Sequence, residues 1–248
     1  MKTIKEYLQK INGRYCSYYL QLFYYHKELT IEQFINTCEE GDLILKVFAE
    51  ANPNDKNLII LAAAHCANAV RHLMKDQRSL DAVDIAIKFG NNQASKDDLK
   101  MYNKNNDNYA DAAARALVWA ASAVSDAFSV ITFASMAVGE EKYREAVLKT
   151  YKGEGYYSQD ARAACKYKQM AYELDAFCNK DAIAAGEKAR VEGNKATKKL
   201  TADICRQYLL PNFKRRLKWI KKYKPTKIKW LVILLRQKNW KKKDEVNF

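Results

Sequence analysis

Glycine and proline are scarce in this chain, 8 and 3 among 248 residues, and no run of alternating β-branched residues is bounded by turn signals. Sheet-based architectures are therefore excluded, and the abundance of Ala, Leu, Lys and Glu predicts an all-α fold. Nearly half of the residues are apolar, enough to bury a substantial core and to exclude disorder of the whole chain. Six widely spaced cysteines (Cys16, Cys38, Cys66, Cys165, Cys178 and Cys205) include no C-x-x-C pair. Reduced thiols filling core positions in a cytoplasmic protein are expected, with no metal and no cofactor. The opening MKTIKEYLQK is charged and periodic, unlike a secretion signal. There is no Ser-His-Asp spacing, phosphate-cradling glycine loop or paired carboxylate motif, so the reading is a protein without catalysis.

The formal net charge of +14 is unevenly placed. Residues 214–248 hold fourteen Lys and Arg against Asp244 and Glu245, a net +12, which leaves +2 for the remainder. Two segments follow: a helical domain over 1–213 and a basic, aromatic-containing segment over 214–248.

The 1–213 segment is organised around the stretch from Asp107 to Val138. Ala113, Ala116, Ala120, Ala123, Ala127, Val130, Ala134 and Ala137 recur every third or fourth residue, which predicts one long helix with a methyl-lined face. Neighbouring helices can approach such a face closely, so it is expected at the centre of a multi-helix bundle, with a homo-oligomer through the Ala face as a further option. A membrane span is disfavoured, because Asp126 would sit mid-bilayer at a cost of about 2.5–3.5 kcal/mol and Ala and Ser cannot offset it. Gly139 is expected to end this helix, with a shorter one over 140–151.

Elsewhere, five Tyr and one Phe crowd Tyr15–Tyr25 without a cation among them, which favours packing over base stacking. Thr30 with Gln33 makes a capping box, and so does Ser95 with Asp98. Helices are expected from Asp42 to about Glu50 and from Asn54 or Asp55 to about Met74. His65 and His72, two turns apart, would then face the same way, as structural histidines. Asp76 or Ser79 caps the helix after the turn, and Gly90 ends that helix in a left-handed conformation. A long helix is expected from Gln159 to about Val191 and another from Leu200 to Leu210, stopped by Pro211.

The segment AHCANAVRHLMKDQRSLDAVDIAIKFGNNQASKDDL, followed by an alanine-rich helix, resembles the immunity protein family of bacterial polymorphic toxin systems, whose relatives also occur in phages. The residues that carry the likeness are Cys66, Ala67, Val70, His72, Leu73, Asp76, Arg78, Ser79, Ala82, Ala86, Gly90, Ala94 and Leu99. Thr30–Asn52 is similar to the family's helical lead-in, and the likeness spans roughly residues 30–210. Leu117, Trp119, Phe128 and Phe133 interrupt the family's more monotonous alanine helix, and the basic tail lies outside the likeness. The resemblance implies an all-helical protein that neutralises a toxin or a defence component by stoichiometric binding. The recognition surface expected is the corner at Arg71, His72, Asp76, Arg78 and Ser79, whose alternative role is to cap and brace the turn.

Beyond Pro211, cations alternate with aromatics. Lys214, Arg215, Arg216, Lys218, Trp219, Lys221, Lys222 and Trp230 suit phosphate contacts with stacking, an anionic membrane interface, or a solvated tail docked through WLVILL. That hexad is too short to span a bilayer. Two other functions remain open: a nucleic-acid-associated protein acting through this tail, and a phage counter-defence protein that sequesters a nucleotide signal between helices.

Overall fold

The computed structural model describes residues 3–6, 26–52, 54–102, 108–120, 126–150, 176 and 179–223, with side chains through Arg215. The described residues form an all-α bundle without a strand; a single bridge pairs Thr3 with Thr30. Two compact units divide at Leu209/Leu210. Tyr15–Tyr25, Cys16, Cys165, Cys178, Ser158 and Trp230 lie outside the described residues.

Helix α1 (Ile31–Thr37) begins at the Thr30 capping box, in which Gln33 N–H donates to Thr30 Oγ1 and Thr30 N–H donates to Gln33 Oε1. Helix α2 (Gly41–Ala51) follows, and α3 (Lys56–Asn68) is buried on nearly every side, from Ile59 through Ala64 and at Cys66 and Ala67. A helix apolar all round belongs inside a bundle, and α3 packs against α4 (Gln77–Gly90), α6 (Tyr109–Ala120) and α7 (Asp126–Thr150). Short α5 (Lys96–Lys100) starts at the Ser95–Asp98 capping box.

The alanine-rich stretch is not one helix. Helices α6 and α7, five residues apart, make the most extensive helix–helix contact among the described elements, so the chain reverses between them. Each buries its alanine face within the single chain: Ala113, Ala116 and Ala120 on α6, and Ala127, Val130 and Ala134 on α7. At these described positions that face is therefore buried inside the bundle. No Gly or Pro marks the reversal; packing two methyl-lined faces together outweighs an uninterrupted hydrogen-bond ladder. Asp126 begins α7, and no described helix is long and apolar enough to cross a membrane.

Gly139 does not end α7 either. It lies against α8 (Lys180–Tyr223), where an added Cβ would come 2.8 Å from Asn194 Cγ and 3.2 Å from the Arg190 carbonyl oxygen. Gly186 on α8 is as closely approached, by Val147 and Tyr143. Their missing side chains let the backbones approach, and Ser135 Oγ donates to the Asn194 carbonyl across the same seam at 3.1 Å. Helix α8 starts where Asn179 Oδ1 accepts from Ala182 N–H, and it continues through both Gly193 and Pro211. Its inward stripe is small or polar (Ala182, Gly186, Gly193, Thr197, Thr201, Cys205), so hydropathy does not announce it. Pro211 deprives the Gln207 carbonyl of its helical donor. Its ring is exposed, and Lys214–Lys218, soon after it, are strong helix formers.

Candidate functional site

Helix α3 ends at Asn68, and the chain turns through a 3-10 segment, Arg71–Leu73, before α4. This early stop separates the two histidines. His65 stacks on Tyr208 of α8, with ring centroids 4.2 Å apart, and burial holds its pKa below the usual value. His72 points outward, its Nε2 4.0 Å from a Glu141 carboxylate oxygen on α7. Because the folded protein binds the His65 proton less tightly than the unfolded chain, stability is full above the unfolded pKa of about 6.5. It falls as pH drops from there through the lowered folded value. Urea midpoints should therefore decline from pH 7 toward 5, and His65→Phe, which keeps the stacking, should flatten that decline.

The five residues expected at the corner divide by role. Arg71 forms a forked ion pair with Asp84 of α4 at 2.5 and 2.9 Å, which holds the Asp84 pKa below the ordinary carboxylate range. Asp76 caps α4 by accepting from Arg78 N–H at 2.9 Å, and its own N–H donates to the buried Asp111 of α6 at 3.5 Å. Ser79 is buried in the first turn of α4. These three brace the corner, while His72 and the Arg78 side chain are exposed. The left-handed residue after α4 is Asn92, with φ 61°, rather than Gly90. Gly90 is small for another reason: its Cβ would fall 2.5 Å from Leu61 Cβ on α3.

Beside this corner lies a groove of about 990 Å³. The turn supplies His72, Leu73, Met74 and Lys75; the start of α6 supplies Asn108, Tyr109 and Ala110. Helix α7 supplies Ala137, Glu140, Glu141, Arg144, Glu145 and Leu148. Leu73, Met74, Ala110, Ala137 and Leu148 give it an apolar lining, and the charged groups of α7 with Lys75 give it a polar one. Asn108 fixes the start of α6, since its Oδ1 accepts from Asp111 N–H at 2.8 Å. Arg190 of α8 reaches Glu140 at 3.2 Å while lying over the Tyr143 ring, and Lys142 reaches Glu145 at 2.7 Å. Two of the acidic groups on the α7 side of the groove, Glu140 and Glu145, are thus ion-paired.

Of the expected surface residues, the groove includes His72 alone. Its α7 members escaped sequence reasoning because Gly139 read as a helix end, which detached Glu140–Leu148 from the alanine-rich helix.

Among the described residues no group of three His, Cys, Asp or Glu is placed to hold a metal ion. Cys38, Cys66 and Cys205 are free and buried, with Cys66 and Cys205 Sγ atoms 3.9 Å apart. Burial pushes the Cys38 thiol up to about 11 and the Cys205 thiol well above its usual value, which leaves both as poor nucleophiles.

In the basic segment, Lys214 and Arg215 are exposed. Arg216, Lys218, Trp219, Lys221 and Lys222 belong to α8. Comparisons with family models, with curated proteins and with solved structures give no match.

Proposed function

We propose that this chain is a non-catalytic binding protein that neutralises a partner protein stoichiometrically, through the groove beside His72. The observation that carries the reading is the groove itself. An apolar lining bordered by charges of both signs suits insertion of a protein segment, with burial supplying affinity and the charges setting orientation. Its volume stands at the upper end of the range for small-molecule sites, and the exposed His72 lies on its wall. The partner class is the one implied by the sequence resemblance, a toxin domain or a defence component. The apolar lining and mixed charges also fit a protein surface better than the phosphates of a nucleotide, which call for several convergent cations.

The test is charge reversal on the exposed rim. Full-length protein and the Glu141→Lys/Glu145→Lys variant would be tagged and expressed in the native cell, and the eluates weighed by native mass spectrometry. The wild type should carry one partner chain per protomer, and the variant should lose it while its circular dichroism stays unchanged. Equal recovery of the partner by both proteins would place binding elsewhere. Recovery of no partner by the wild type would overturn the stoichiometric reading.

A further inference from the structure

The passage of α8 through Pro211 has a result that a helix stopped there would lack. At 100° per residue, the continuous helix places the Cα positions of Lys214, Arg215, Lys218, Lys221 and Lys222 within an arc of about 120°. The apolar positions Leu209, Phe213, Leu217 and Ile220 fall on the opposite side. The first two of these, Leu209 and Phe213, are buried, whereas Lys214 and Arg215 are exposed. The geometry points to this arc as a polyanion-binding face whose ligand is the phosphate backbone of double-helical nucleic acid, bound without regard to sequence. This site is independent of the groove beside His72.

Three observations favour a duplex over other polyanions. From Lys214 to Lys222 the helix rises about 12 Å, close to the width of a major groove, so cations at the two ends can meet phosphates of both strands. The arc consists of Lys and Arg only and holds no aromatic position, so it offers no platform for stacking unpaired bases. An amphipathic helix lying on a membrane inserts its apolar side, and here that side is already buried at Leu209 and Phe213.

Five phosphate contacts imply that affinity falls roughly 500-fold between 50 and 200 mM salt, from a slope of about 0.9 per contact. The experiment measures anisotropy of a fluorescent 20-base-pair duplex of random sequence across that range, using the full chain. The arc variant Lys218→Ala/Lys221→Ala/Lys222→Ala should fall only about 12-fold over the same interval. The variant Lys241→Ala/Lys242→Ala/Lys243→Ala, which removes the same charge outside the arc, should keep the wild-type slope. Equal losses from the two variants would overturn the assignment, because net charge rather than the arc would then govern binding. So would tight binding to vesicles of phosphatidylcholine and phosphatidylserine without binding to the duplex. Circular dichroism at 222 nm confirms that each variant remains folded.

Discussion

Replacing Arg206 with alanine is expected to destabilise the fold by about 3 kcal/mol. Its guanidinium donates from Nε to the Ile35 carbonyl at 2.9 Å and from Nη2 to the Cys38 carbonyl, while Nη1 pairs with Asp203 one turn back. The two carbonyls belong to the end of α1, where helical carbonyls lack a donor, and both residues are buried. Truncation would strand these acceptors away from water and remove a cation from the negative end of the helix dipole. Arg206→Lys should recover less than half of the loss, since one ammonium cannot reproduce the planar fork that spans both carbonyls. Urea denaturation followed by circular dichroism should show the midpoint moving by about 1 M. A loss under about 1 kcal/mol would mean that water replaces the guanidinium at both carbonyls.

The second large effect concerns Gly90, where alanine should cost about 2 kcal/mol despite its better helix propensity. An added methyl would meet Leu61 Cβ at 2.5 Å and Leu61 Cα at 2.8 Å, atoms that no rotamer change can move. Relief requires α3 and α4 to separate, and these two helices share one of the larger interfaces of the bundle. Trimming the tip of the opposing side chain should not help, so Gly90→Ala in a Leu61→Ala background should lose at least as much as the two single changes added together. Rescue by Leu61→Ala would show that the side-chain tip, and not the backbone, sets the spacing.

Both residues illustrate how much of the molecule could be read in advance. Gly90 was expected to be a left-handed helix terminator, and the position does stand at the end of α4, but its smallness serves a neighbour 29 residues away. Arg206 carried no signal, because its acceptors lie on α1 and nothing in the local sequence connects them. His65 and His72 were expected to face one way, on the premise of a helix reaching Met74. The helix stops at Asn68, and one ring stacks on Tyr208 while the other lies at the groove.

The features legible in the chain were those set by neighbours within one helical turn. The capping boxes at Thr30 and Ser95, the Asp76 cap, the short helix from Asp42 and the all-α class depend on backbone hydrogen bonds that a few adjacent residues complete or deny. Packing settled the rest: the reversal between α6 and α7, the passage of α7 through Gly139, and that of α8 through Gly193. At each of these places the local preference amounts to a few kcal/mol or less. Burial against a distant helix exceeds it, and no window of sequence contains that distant partner. The alanine-rich stretch shows both effects: its spacing announced helix and burial, and its fold-back came from the match of its two halves to each other.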